Sequence, residues 1–344
     1  MIVKDEVRQL ATVERITNIR SIEGADAILQ ANVRAWSVVI RLDSFNEDDL
    51  VLYLEPDTAL PLSDPRFEFL ASRGRKDVDG EQYHILRSAK LRGVFSQGLV
   101  LPLSDFPEIA NEPEGSDVTS LLGLGKWEQP PPVNSGDIAG AFLTDFARKT
   151  DSERIQNLAG EQVWKAIKSI EWDATEKVDG TSCTVLRDNN NQLRVMGRNW
   201  EIQQGPNLYW NVVNHPRYRE MFEILEPGEV VQLEIMGPGI QGNKLKLSEI
   251  RPFVFDFSRD RVMLPRAEWP ESVLAWAAPL LKIELPDSPE ELIDMVDGIK
   301  SSTNPSVLAE GVVFHSRDGS ELREIGGRNT FKVINNTWLA KAKG

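Results

Sequence analysis

Three consecutive prolines, Pro130-Pro131-Pro132, forbid any helix or central strand from running through that part of the chain. Each fixes its own φ and supplies no backbone donor. Asn134, Ser135 and Gly136 follow, so Leu124–Gly140 reads as a linker. The chain therefore divides, and 344 residues exceed what one hydrophobic core ordinarily organises. The expected organisation is a first domain over residues 1–125, a connection over 126–141 and a second domain over 142–344.

The two sides of the break differ in pattern. Before it, short apolar runs such as Trp36–Leu42, Leu50–Leu54 and Val94–Leu103 are bounded by turn formers. The last run contains Gly98, a mark of a bulge or a close backbone approach. Many short strands and few helix signals predict a small β-barrel of the OB type. After the break the pattern is mixed α+β. Asp151–Ile170 reads as a helix, and strands are predicted at Leu193–Gly197, Glu229–Met236, Pro252–Phe257 and Gly311–His315. Ser288-Pro289-Glu290-Glu291 reads as a helix start, with a serine cap, a first-turn proline and a glutamate three residues on.

Composition narrows the class. Hydrophobic residues make up 41%, enough for a core, yet no apolar run approaches the ~18 residues of a membrane span. Met1–Glu14 lacks the apolar stretch of a secretory leader. The single cysteine, Cys183, excludes an internal disulfide and a multi-thiolate metal site. His84, His215 and His315 have no metal-ligand spacing. These features predict a cytoplasmic protein. The net charge of −14 argues against a protein that coats nucleic acid non-specifically. It leaves room for a local basic groove, and for carboxylates that hold divalent metal.

The segment richest in chemistry is Glu176-Lys177-Val178-Asp179-Gly180-Thr181-Ser182. A lysine attacks phosphorus only when neutral, so its pKa has to be lowered by nearby positive charge or desolvation. Asp179 could hold a metal-bound water beside it, and Gly180 would permit a sharp turn and close approach to a nucleotide. A surface Lys-x-Asp-Gly turn is the competing reading of these residues alone.

The order of segments downstream decides between them. Lys177-Val-Asp-Gly resembles motif I of the lysine nucleotidyltransferases, the ligases and capping enzymes, and Arg198-Asn199 looks like their motif Ia. Leu233-Glu234-Ile235-Met236-Gly237 resembles motif III, and Phe253-Val254-Phe255-Asp256 resembles motif IIIa. Glu310-Gly311-Val312-Val313 resembles motif IV, and Phe331-Lys332-Val333-Ile334 resembles motif V. The resemblance implies a covalent, ATP-grasp-like nucleotidyltransferase domain in which Lys177 carries AMP from ATP. It further implies that Glu176 reads the adenine amino group and that Arg198 and Glu234 grip ribose and phosphates. Phe255 would stack on the purine, and core packing is the competing reading for one of Phe253 and Phe255. Asp179, Glu234 and Glu310 would hold Mg²⁺ or Mn²⁺, and Lys332 would neutralise the α-phosphate.

The domain order points to one branch. DNA ligases and capping enzymes carry an OB domain after motif V, whereas here it comes first. That order is similar to the ATP-dependent 3′-OH/5′-phosphate RNA ligases of the fifth RNA ligase family. Two front segments resemble that family: Ile22-Glu23-Gly24-Ala25-Asp26, and Arg87 through Gly98 with Lys90 and Arg92. Lys90 and Arg92 are expected to contact nucleic acid. Lys149-Thr150-Asp151-Ser152-Glu153-Arg154 is similar to a segment that brings cations near the β- and γ-phosphates, which would make Arg154 and Lys149 nucleotide contacts. Motif V departs from several ligase families in offering one lysine, with Asn329 and Thr330 before it. The expected partner is RNA or an RNA-containing nicked duplex, the expected state a monomer. A DNA ligase, a capping enzyme, and a non-catalytic OB-containing binding protein are the rival readings.

Overall fold

In the strand Trp36–Arg41 every second side chain is buried, as required of a strand with one face on a core. The computed structural model describes residues 1–4, 8–128, 136–149 and 152–342. Two compact units emerge, Met1–Pro130 with Ala340–Gly344, and Pro131–Leu339. In the first, Ala11–Ser21, Ile28–Val33, Trp36–Arg41, Leu50–Leu54 and Leu99–Pro102 form an antiparallel five-stranded sheet. A second five-stranded sheet joins Ile2–Val3, Gly125–Trp127, Thr58–Pro61, Glu81–Ile85 and Lys76–Val78 in that order.

Gly98 separates two strands that the sequence reads as one run, Val94–Ser96 and Leu99–Pro102. Its φ is +116°, and a Cβ there would lie 2.6 Å from both the Leu54 carbonyl oxygen and the Tyr53 ring. Close approach, not flexibility, requires the glycine. The Tyr53 hydroxyl donates to the Gln97 carbonyl at 2.7 Å and locks the corner.

The second unit contains two sheets. The first has seven strands, with Thr181–Arg187 at its centre, Glu229–Met236 and then Arg251–Arg259 following it on one side, and Ile138–Ala141 on the opposite edge. The second has five, in the order Glu153–Arg154, Thr330–Ile334, Gly311–Ser316, Trp172–Lys177 and Leu280–Leu281. One face of the five-stranded sheet buries Trp172, Ala174, Val312, Phe314, Phe331 and Val333. The Phe314 and Phe331 rings stack there at 4.7 Å. That packing holds the opposite face, the one bearing Lys177, in a fixed register.

Two expectations change. The predicted helix over Asp151–Ile170 is cut down to Glu161–Ile167, and Asp151 lies outside the described residues. Glu153–Arg154 instead pairs in parallel with Phe331 and Lys332, so its backbone groups are taken by the sheet. A 3-10 turn over Ile155–Leu158 and the N-cap Gly160 delay the helix further. The connection predicted at 126–141 also shortens from both ends. Lys126 and Trp127 belong to a first-unit strand, and Ile138–Ala141 pairs with Trp200–Ile202. Pro130–Pro132, Asn134 and Ser135 lie outside the described residues. The helix start at Ser288 forms as expected: its hydroxyl accepts from the Glu291 N–H at 3.2 Å, and the Glu291 carboxylate reaches back to the Asp287 N–H.

Candidate active site

Lys177 ends the strand Trp172–Lys177, at the point where the chain leaves the five-stranded sheet for the seven-stranded one. Strand alternation puts Lys177, Thr175 and Asp173 on one face. Their cross-strand partners are Gly311, Val313 and His315, and Val313 and His315 pair in turn with Lys332 and Thr330. Motifs I, IV and V therefore meet on a single face.

Gly180 makes the crossing possible. A Cβ on it would sit 2.2 Å from the Ile235 carbonyl oxygen and 3.0 Å from the Glu234 side chain. The sequence predicts a close approach to nucleotide; the structure shows an approach to the Glu229–Met236 strand. Its N–H donates to the Glu234 carboxylate at 3.0 Å, which ties motif III to motif I.

The Lys177 ammonium donates to Glu310 at 2.8 Å. Burial opposes its charge, but Glu310, Glu234 and Asp179 outweigh that cost and hold its pKa above the ordinary value. With only its own residues around it, the site keeps the nucleophile protonated, and added positive charge is needed to release it. Burial pushes Glu234 the other way, up to about 8, with Lys177 and the Gly180 N–H opposing the rise. Asp179 accepts from Lys244 at 2.7 Å. Lys244 lies over the Trp338 ring at 4.5 Å.

The three carboxylates expected to hold metal thus surround Lys177, but they form no closed cage. Among the described residues no three His, Cys, Asp or Glu side chains converge as metal ligands. Two of the three carboxylates are already paired with ammonium groups, Glu310 with Lys177 and Asp179 with Lys244. Hard oxygen donors at a spot that attracts cations fit a divalent ion completed by water or phosphate oxygens.

The remaining expected residues fall into three groups. Arg198 and Asn199 form the exposed turn between Leu193–Met196 and Trp200–Ile202, and Lys149 donates to the Asn199 side chain at 3.0 Å. Lys149 and motif Ia are therefore brought together. Arg154 is buried beside Lys332 through the parallel pairing; Thr150 and Asp151 lie outside the described residues. Phe255, at a register shift opposite Gln232 and Leu233, lines a small cavity with Thr175, His315 and Arg266. Phe253 is buried against Val178, Met236 and Leu245, a core position.

Glu176 stands apart. Alternation turns it to the face opposite Lys177, where Ser302 donates to it through N–H at 2.8 Å and hydroxyl at 2.5 Å. Its second carboxylate oxygen is buried without a partner. Thr175, two residues from Lys177 and on its face, lines the small cavity that Phe255 also lines. Its hydroxyl meets the Val313 carbonyl at 3.2 Å and His315 Nε2 at 3.3 Å. Burial, reinforced by Arg266, lowers the His315 pKa to about 4 and keeps it neutral. Two-residue periodicity from Lys177 would have found Thr175 in the sequence; the glycine-bearing run Gly237–Lys244 after motif III reads as a loop near the nucleotide without giving Lys244 a role, and nothing local marks Ser302.

Comparison with known proteins follows this geometry. An OB-fold domain model matches residues 10–103, and an RNA ligase model matches residues 170–334. A search of curated proteins finds no match. Among solved structures, a Naegleria gruberi RNA ligase variant with AMP and Mn is 35% identical with a TM-score of 0.87, covering 98% of this chain and 99% of that one. The chain belongs to the RNA ligase family. The Naegleria gruberi RNA ligase with PPi is also 35% identical, with a TM-score of 0.86 and coverage of 98% and 99%. A further variant with ATP and Mn is 34% identical, with a TM-score of 0.85 and coverage of 97% and 99%. The likeness runs through both units of the ligase, so an OB module ahead of the catalytic unit is part of the shared architecture.

Proposed function

We propose that the ligase joins a 3′-OH to a 5′-phosphate through an AMP carried on Lys177, using ATP and Mg²⁺ or Mn²⁺. The observation that carries this reading is the convergence of Glu310, Glu234 and Asp179 on one lysine at a sheet end. In the first step neutral Lys177 Nζ forms a bond to the α-phosphorus and loses a proton, the bond to the bridging oxygen breaks, and pyrophosphate leaves. In the second, a 5′-phosphate oxygen of RNA displaces the lysine, which takes up a proton. In the third, a 3′-hydroxyl attacks the phosphorus of the RNA 5′-phosphate, loses its proton, and the bond from that phosphorus to AMP breaks so that AMP leaves.

The residues divide this work. Lys332, on the Lys177 face, balances charge growing on the α-phosphate. Phe255 offers a ring to the purine, with Thr175 and His315 behind it. Arg198 and Lys149 lie together for ribose and phosphate, and Arg154 stands beside Lys332. A divalent ion bound near Glu310 and Asp179 would supply the positive charge that lowers the Lys177 pKa. Glu176, expected to read the adenine amino group, can do so only through its unpartnered oxygen.

We read the ligase as a cytoplasmic monomer that seals nicks with RNA on the 3′-OH side. No helix among the described residues is long and apolar enough to cross a membrane. The direct experiment is incubation with α-phosphate-labelled ATP and metal, with and without Lys177→Ala. Label on wild type and none on the variant is expected; label that survives the substitution would end the proposal. A nick panel then separates the rivals, because sealing of an all-DNA nick as efficiently as an RNA-containing one would favour a DNA ligase.

A further inference from the structure

The N-terminal unit sorts its cations in two ways. Arg8, Arg15, Arg34, Arg66 and Lys126 are each locked to a carboxylate, respectively Glu55, Glu114, Glu14, Asp64 and Glu128. Arg73, Arg75, Arg87, Lys90 and Arg92 are exposed, and among the described residues they make no ion pair. In a chain of net charge −14, residues 73–92 hold six cations, these five and Lys76, against the three carboxylates Asp77, Asp79 and Glu81, a local reversal of sign.

The fold gathers them. Lys76–Val78 is the outer strand of the second sheet, and it pairs with Glu81–Ile85 so that Lys76 faces Tyr83 and Val78 faces Glu81. This register sends Asp77, Asp79 and Glu81 toward the hairpin turn. Arg73 and Arg75 fall at the other end, where His84 Nδ1 meets the Gly74 carbonyl at 2.9 Å and pins the Arg73-Gly74-Arg75 corner to the neighbouring strand. Arg87 follows His84 by three residues and Lys90 follows Arg87 by three, each a reach of at most about 10 Å. Arg92 and Gly93 turn the two-stranded ribbon Ala89–Leu91/Val94–Ser96 at φ +48° and +86°. A left-handed arginine in a turn is tolerated at a cost, and it displays the side chain outward.

Neighbouring contacts stiffen the band. Arg75 Nε donates to the Ala71 carbonyl at 3.2 Å, and Lys90 rides over the Phe95 ring at 4.9 Å. Lys76, at the same corner, lies over Trp127 at 3.7 Å. Guanidinium groups held this way suit phosphate oxygens, which they can grip in pairs. Arg73 and Arg75 lead into the second sheet, whereas Ile28–Val33 and Trp36–Arg41, the strand pair that an OB module ordinarily offers to nucleic acid, belong to the first.

We propose that Arg73, Arg75 and Arg87 extend the Lys90–Arg92 ribbon into one continuous track for the phosphate backbone of the RNA being sealed. The inference rests on the RNA ligase reading and adds a second, sheet-edge contact to it. The test is binding of a nicked RNA duplex with a 5′-phosphate, without ATP, by the full chain over a series of salt concentrations. The triple variant Arg73→Ala, Arg75→Ala, Arg87→Ala is expected to bind about tenfold more weakly near 0.1 M salt, with the log–log salt slope reduced by about two to three. The corresponding triple lysine variant should recover most of the slope, which a purely structural role would not predict. An alanine variant with wild-type slope, or weaker binding at unchanged slope, would overturn the track. AMP transfer to Lys177 in the absence of RNA reports on the catalytic unit separately. Failure there in wild type would count against the lysine chemistry and leave this surface to be judged by its own slope.

Discussion

Lys244 places its ammonium 2.7 Å from the Asp179 carboxylate, in a site where Lys177 does the same to Glu310 at 2.8 Å. The loop that presents Lys244 has three non-glycine residues at positive φ, Gln241, Asn243 and Lys246. Such geometry persists only where surrounding structure enforces it. Here the Asn243 side chain bridges to Leu247 in both directions, and Asn304 donates to the Leu245 carbonyl. Lys244 is thus a resident cation at the carboxylate expected to serve a metal.

Replacing it should therefore ease metal entry. Mn²⁺ binding to nucleotide-free Lys244→Met, followed by electron paramagnetic resonance, is expected to tighten by about threefold or more, since one competing charge a few ångströms away is removed. Stability should change by less than about 1 kcal/mol, because the pair is 35% and 24% exposed. Unchanged or weaker Mn²⁺ binding would show that Lys244 only braces the loop.

Gly180→Ala should be severe without touching any charge. Its Cβ would press on backbone, the Ile235 carbonyl at 2.2 Å, which cannot rotate away as a side chain could. Strain of about 1–3 kcal/mol is expected, together with loss of the Gly180–Glu234 bond and of AMP transfer to Lys177. A variant with wild-type melting temperature and full labelling would mean that the two strands separate easily here.

Glu310→Gln should lower the Lys177 pKa. Of the carboxylates that raise it, Glu310 acts most strongly, and the substitution removes its charge while keeping its shape. A ¹³C-labelled lysine titration of the metal-free ligase should show the Lys177 midpoint moving to lower pH. A midpoint that stays put would assign the control of this lysine to Glu234 and Asp179.

His315 should make the ligase acid-sensitive in a defined window. Its folded pKa is lowered from 6.5 to about 4, so between those values the unfolded chain binds the proton more readily. Stability from this group is full above pH 6.5 and declines as pH falls toward 4. Comparing urea midpoints of wild type and His315→Gln across that range should show a shallower decline in the variant. Parallel curves would place the acid sensitivity elsewhere.

Strand periodicity and turn chemistry were legible in the sequence because they are local. Glu229–Met236 formed at its predicted limits, Gly98 marked a close approach, and Ser288 capped its helix. The Asp151–Ile170 helix failed because Arg154 is claimed by a strand nearly 180 residues away, Thr330–Ile334, and helical periodicity cannot register a distant partner. The same division runs through the active site. The ordered motifs from Lys177 to Lys332 identified the chemistry, since each is a short run of residue types in sequence order. Which side of a strand a residue faces, and what meets it there, depends on packing. That is why the contacts of Glu176 with Ser302, of Thr175 with His315 and of Lys244 with Asp179 were not legible in the sequence. The linear order determined that this chain carries a lysine nucleophile. Only the crossing at Gly180, where two sheets meet, decided that the lysine rests protonated among three carboxylates.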